Sequence, residues 1–205
     1  MEKALSLEAS IRNHFAPVLR RDGFKGSGRI FRATVGDMIC VVNVQGSVFG
    51  GRFAVNLGVQ PIAVPSVTGA ITDPKKIVES SCEFGRRLSD EGVDHWWDYS
   101  DQTTLDRAVD EAARMYQKVG RSFFERFTSS DNELREIAPD SSIPHGYAAD
   151  LRTSEARLFR ALAHMRLVAN KADEAVRFAK MALANGGPSW QAYSELQSLI
   201  QRAQN

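Results

Sequence analysis

The chain has 205 residues, 43% hydrophobic and 25% charged, a composition that marks a soluble globular protein able to bury a sizeable core without disulfide or metal staples. Its net charge of +1 hides an uneven distribution: +4 over residues 1–35, −7 over residues 90–140 and +4 over residues 151–205. No apolar run approaches the ~20 residues of a membrane span, the N-terminus has no apolar core of secretory length, and two distant cysteines make neither a disulfide framework nor a metal spacing, so the expectation is a cytoplasmic protein in a reducing compartment.

Leu7, Ile11, Phe15, Val18 and Leu19 share one helical face, and Arg20, Arg21 and Gly23 give that helix a C-terminal signature. Pro17 lies inside it and predicts a kink, or a break near His14. Phe31, Ala33 and Val35 alternate with polar residues as a strand. MICVVNVQ is apolar at nearly every position until Asn43, the pattern of a central strand covered on both faces; Cys40 reads there as a small buried hydrophobe. Phe53, Val55, Leu57 and Val59 alternate strictly with their neighbours. The connections among the three runs are too short for crossover helices, so they predict an antiparallel meander.

Asp73 and Pro74 predict the opening of a short helix, CEFGRRLS a fourth strand, and EGVDHWWDYSD a loop or irregular strand. Thr103 or Thr104 is expected to cap a long helix with a stripe of Leu105, Val109, Ala112, Met115 (with Tyr116), Val119, Phe123 and Phe127, bending near Gly120. Residues 129–150, with Pro139, Pro144 and Gly146, read as a linker. From Thr153 two amphipathic helices meet at Asn170–Lys171, where Leu158, Leu162, Ala163, Ala175, Ala179 and Ala182 permit close approach. A third helix is expected from Pro188. The hairpin resembles a single tetratricopeptide-type unit, which cannot bury both faces alone. The predicted organisation is an α+β domain at 1–128 with an antiparallel sheet of about four strands packed with an N-terminal and a long helix, a linker at 129–150, and an all-helical extension at 151–205.

No nucleophile elbow, phosphate-loop spacing or dinucleotide fingerprint is present, and no motif calls for a cofactor. Asp94, His95 and Asp98 flank Trp96 and Trp97. With Glu83 they suggest a metal-assisted hydrolase or nuclease, although the spacing fits no standard zinc pattern; otherwise the indole pair closes the core while the acids face water. His14, His145 and His164 are scattered. Asn43, Gln45 and Asn56 sit inside strands, where buried amides need partners; they either bond across the sheet or line a polar groove with Arg32, Arg52 and Arg29. Arg20, Arg21, Lys25, Arg29 and Arg32 with Phe24 and Phe31 suggest a basic aromatic nucleic-acid face, disfavoured by a pI near 7.8.

DGFKGSGRIFR, VVNVQGS, RFAVNLGV, CEFGRRLS and the Trp pair, in this order, resemble the Domain of Unknown Function 4304 family over about residues 5–127. The matching positions are Gly23, Phe24, Phe31, Gln45, Ser47, Asn56, Leu57, Gly58, Cys82, Arg86, Arg87, Leu88, Trp96 and Trp97. The resemblance implies an α+β bacterial domain with no catalytic residues to carry over; related small domains often accompany toxins as immunity proteins. The expectation is therefore a non-enzymatic module that binds and inhibits a protein partner such as a toxin. Trp96, Trp97, Asp98, Tyr99, Asp94 and Asp101 are its expected contact residues, on an exposed aromatic loop, with no metal and no membrane association.

Overall fold

The computed structural model describes residues 5–66, 70–90, 93–143 and 146–204. Six strands, β1 (Lys25–Ser27), β2 (Ile30–Val35), β3 (Met38–Gly46), β4 (Arg52–Pro61), β5 (Phe84–Arg87) and β6 (Trp97–Asp98), form one antiparallel sheet in the order β1-β2-β3-β4-β5, with β6 also paired to β4. The expected four strands are thus joined by two short edge pieces. The helices are α1 (residues 7–21), α2 (residues 102–128), α3 (Glu133–Glu136), α4 (Tyr147–Asp150), α5 (Glu155–Val168), α6 (Ala172–Gly186) and α7 (Tyr193–Gln204).

Proline explains the form of α1. Pro17 offers no N–H and its ring crowds the carbonyl one turn back. The helix passes through a π turn at Ile11–Phe15, closed by Ala16 N–H to Ile11 O, and resumes as α-helix from Ala16. It ends where Phe24 N–H returns 3.0 Å to Leu19 O across Gly23, whose φ of +84° suits glycine. A second π turn, Tyr116–Gly120, lies inside α2. It advances the buried stripe from Leu105, Val109 and Ala112 to Tyr116, Gly120, Phe123, Phe124 and Phe127, leaving the expected Met115 and Val119 half-buried. A methyl on Gly120 would lie 2.6 Å from the Tyr116 ring, so the turn requires glycine. The N-cap of α2 is Asp101 in place of Thr103 or Thr104: Asp101 accepts Thr104 N–H while Thr104 Oγ1 accepts Asp101 N–H.

The pleat separates two environments along β3. Met38, Cys40, Val42 and Val44 join the main core under α1 and α2, whereas Ile39 and Val41 pack with Ile77 and Cys82 on the opposite face. The segment near Asp73 forms a turn, not a helix, with Asp73 Oδ1 accepting Lys75 N–H; a single 3₁₀ turn follows at Glu79–Ser81. Residues 129–143 and 146–150 carry α3 and α4, and Arg166 Nη2 bonds the carbonyls of Leu134, Arg135 and Ile137 that close α3. The third terminal helix begins at Tyr193, not Pro188, because residues 187–192 turn back so that the Trp190 ring lies against Gly186.

The helical tail is welded to the sheet by buried charge. Glu83, at the entry to β5, accepts Arg157 Nε at 3.0 Å and Arg160 Nη1 at 3.0 Å; Arg160 also donates to Glu195 of α7 at 2.8 Å, and Glu195 meets His164. The Glu83 side chain is 4% exposed and that of Arg160 1%. Gln60 completes the joint, accepting Glu83 N–H at 3.0 Å and donating to Val64 O at 2.9 Å. Removing Glu83 leaves the buried Arg160 with Glu195 as its one carboxylate and strips the half-buried Arg157 of its partner. Glu83→Ala is expected to lower unfolding stability by about 3–5 kcal/mol in urea denaturation, whereas Asp90→Ala, which breaks the exposed Asp90–Lys118 pair, is expected to leave the midpoint nearly unchanged.

Candidate functional site

The sheet face turned away from α1 and α2 carries the polar side chains. Register sets them in place: Asn56 on β4 stands opposite Asn43 on β3 and Arg87 on β5, and Arg52 stands opposite Asp98 on β6. Asn56 is 4% exposed and donates Nδ2–H to Gln45 Oε1 at 3.0 Å, an oxygen that Arg87 Nη1 reaches at 3.5 Å. Of the polar groove expected from sequence, Gln45 and Asn56 therefore meet, with Asn43 half-buried beside them on β3. Arg32 is committed elsewhere, donating to Ile77 O at 2.5 Å and to Lys76 O, and Arg29 pairs with Glu8 at 2.6 Å. Arg52 belongs to a different cluster.

That cluster is built on Trp96. The Arg52 and Arg87 guanidinium carbons lie 5.0 and 5.2 Å from its ring centroid. Asp94 ties the arrangement together, accepting Trp96 Nε1–H at 2.9 Å and Arg87 Nε–H at 2.7 Å. The Trp96 hydrogen bond and then Arg87 hold the Asp94 carboxyl below the usual carboxylate range. Trp97 points the other way. Opposite Phe53 in register, it is 5% exposed and stacks on that ring at 5.5 Å and 16°, with His95 edge-on at 4.3 Å. The aromatic loop expected to be exposed thus divides, with Trp96 on the outer face and Trp97 in the core. Tyr99 is half-buried against Phe53, Asp98 is exposed, and the Asp101 carboxylate is spent on capping α2.

Sequence reading missed the neighbour of this cluster. The β3–β4 hairpin tip presents Val48 and Phe49 at 93% and 92% exposure, and Gly51 O accepts Tyr99 N–H at 2.8 Å, joining tip to loop. The signal was present as an apolar pair immediately before two glycines, in a turn where solvated residues are the rule.

Behind Arg87 a cavity of about 260 Å³ opens between this face and the start of α5, lined by Gln45, Asn56, Glu79, Arg87, Arg152 and Arg157 among others. Gly85 lines it, paired across the strands with Gly58. A methyl on Gly58 would stand 2.8 Å from Cys82 Sγ and 3.1 Å from Glu79 Cγ, so the paired glycines admit this segment onto the sheet. Among the described residues the Glu79 carboxylate makes no hydrogen bond or ion pair; burial pushes its pKa up, opposed by Arg152 and Arg87. The guanidinium of Arg152, a residue held at φ +48°, is likewise without a hydrogen bond or ion pair among them. A larger cavity of about 570 Å³ shares Ser80 and Arg157 with this one and is lined on its far side by Asp73, Lys76 and Ile77.

The remaining candidates separate. Glu83 is bound between Arg157 and Arg160, and no group of three or more His, Cys, Asp or Glu residues is placed to hold a metal among the described residues. His14 meets Asp110 at 3.0 Å between α1 and α2, and His164 meets Glu195; His145 lies outside the described residues. Phe24 and Phe31 are buried, which removes the aromatic members of the basic face. Burial pushes the Cys40 thiol up to about 12 and raises Cys82 as well, so both stay protonated at neutral pH. Among the described residues no helix is long and apolar enough to cross a membrane.

The fold and this face define an α+β protein whose sheet is sealed by helices on one side and carries amides, arginines and an indole on the other. The chain belongs to the family described as Domain of unknown function (DUF4304), whose model matches residues 15–126. Neither a curated protein nor a solved structure matches it.

Two measurements check this geometry. Trp97→Ala is expected to cost about 3–5 kcal/mol of stability by urea denaturation, while Trp96→Ala leaves the cooperative transition close to that of the parent. For Glu79, the folded state holds the proton more tightly than the unfolded chain, so the wild type gains stability as pH falls through the raised folded value toward the ordinary 4.5, and its ionised form is a cost at neutral pH. Glu79→Gln is expected to raise the urea midpoint at pH 7, with the gain vanishing below pH 4.5. A lower midpoint at pH 7 would show that attraction to Arg152 and Arg87 outweighs burial.

Proposed function

We propose that the chain is a non-enzymatic protein-binding module that grips a partner through the Trp96 face, and that the partner is a bacterial toxin which the module inhibits in the manner of an immunity protein. The observation that supports the binding reading is one continuous surface: exposed Val48 and Phe49 on the hairpin tip beside Arg52, Asp98, Trp96 and Arg87. Trp and Arg are the residue types that anchor interfaces when apolar area and charge lie side by side. Arg87 and Asp94 hold the Trp96 ring by hydrogen bond and stacking, so little side-chain entropy is lost when a partner covers it. A toxin is the partner to which the family resemblance points.

The test is co-expression with the product of the adjacent reading frame in a growth assay, followed by co-purification. The parent chain is expected to restore growth and to co-purify. Trp96→Ala and Phe49→Ala are each expected to weaken the complex at least about tenfold, a loss typical of truncating an interface anchor, with the urea transition preserved. Full rescue and unchanged affinity in both variants would remove this face from the function; an innocuous neighbouring product would remove the immunity assignment.

A further inference from the structure

The cavity behind Arg87 has a charge arrangement that the partner face does not use. Arg87 is compensated by Asp94 at 2.7 Å and Arg157 by Glu83 at 3.0 Å. Two charges remain: the Glu79 carboxylate, which lies 3.4 Å from where a Gly85 methyl would project, and the Arg152 guanidinium. Both line the same 260 Å³ space, and they are not joined to each other by an ion pair. A half-buried carboxylate with no hydrogen-bond donor is costly for the empty protein. It is the kind of group that a bound ligand satisfies.

From this juxtaposition we infer that the cavity binds a small zwitterion, a free α-amino acid or a molecule with the same adjacent ammonium and carboxylate. Arg152 receives the carboxylate, for which a guanidinium fork is suited in geometry and charge. Glu79 receives the ammonium. Asn56 and Gln45, already fixed by their mutual hydrogen bond, supply amide contacts at the sheet end. An anion alone satisfies Arg152 and meets the Glu79 charge; a cation alone does the reverse. Only a dipolar ligand pairs the half-buried carboxylate and the exposed guanidinium at once while leaving the cavity neutral. The volume lies just below the range of about 300–1,000 Å³ that takes drug-sized ligands, which suits a single amino acid. Gly85 lines the cavity without a side chain and lets a small molecule approach the backbone closely.

The experiment is isothermal titration calorimetry of the full chain with each of the twenty common L-amino acids, and with acetate, inorganic phosphate and methylamine as single-charge probes. At least one amino acid is expected to bind with Kd below about 1 mM, and each single-charge probe at least about tenfold more weakly. Glu79→Gln and Arg152→Ala are each expected to weaken that amino acid at least about tenfold, a loss of about 1.4 kcal/mol, with far-UV circular dichroism unchanged. Arg152→Lys, keeping charge without the fork, is expected to recover part of the affinity. Binding of no amino acid overturns the inference. So does phosphate or acetate binding as tightly as the best amino acid and strengthening in Glu79→Gln, which would make the cavity a plain anion site.

Discussion

Arg160 is a guanidinium with almost no access to water, and the architecture of the second half of the molecule follows from satisfying it. Its donors reach Glu83 on the sheet, Glu195 on α7 and the carbonyls of Pro65 and Ser66. A charge in a low-dielectric interior is tolerable only when paired and fully hydrogen-bonded, so each partner must arrive in one orientation. The sheet, α5, α7 and the loop after β4 therefore share a single arrangement, which the apolar packing of Leu158, Leu162 and Leu196 alone would specify less sharply. Gly85 N–H, bonded to Leu151 O at 2.9 Å, extends the same joint to the sheet edge and keeps that backbone donor from being exposed to another strand.

The joint also decides what the open face of the sheet looks like. Arg157 is one of the two cations on Glu83, and Arg152 precedes it in the non-helical approach to α5. Anchoring α5 thus carries both arginines to the space above Asn56 and Gly85. From the opposite direction the 79–82 segment reaches the sheet because Gly58 has no side chain to refuse it. Two non-local placements, one electrostatic and one steric, enclose the cavity. Each is a long-range consequence of residues whose local role is modest.

The strands were legible because their signals are local. The alternation Phe53, Val55, Leu57, Val59 states which face of β4 is buried, and the unbroken apolar run from Met38 to Val42 states that β3 is covered twice, as Ile39 and Val41 under Ile77 confirm. The in-strand amides were also visible, since Asn43, Gln45 and Asn56 interrupt an apolar pattern. What the sequence withheld was partnership. Glu83 and Arg160 stand 77 residues apart with nothing in either neighbourhood to announce the other. Trp96 and Trp97 must face opposite ways in a strand, yet which one enters the core depends on the pairing of Trp97 with Phe53, a fact of register. Asp101, Thr103 and Thr104 are all capping types; Asp101 takes the cap because Thr104 can then return its hydroxyl to the Asp101 N–H. The π turns were half legible. Pro17 and Gly120 marked where each helix departs from regularity, while the one-residue advance that buries Phe124 appears only once the turn is formed.

The family match ends at residue 126, and Arg152 and Arg157 lie beyond it. The matched span contributes Gln45, Asn56, Glu79, Gly85 and Arg87 to the cavity; the tail contributes the other two cations. With the tail removed in thought, Arg87 is balanced by Asp94 and what remains is the Glu79 carboxylate, an acidic recess open to solvent. Adding the tail supplies Arg152, changes the sign balance to neutral and closes one wall. The chemistry of this recess is therefore a property of the sheet and the tail together, and members of the family that share the sheet without a counterpart of Arg152 are expected to offer a different recess on the same scaffold. The buried ion network of this chain lies at the same seam, where the tail packs against the sheet.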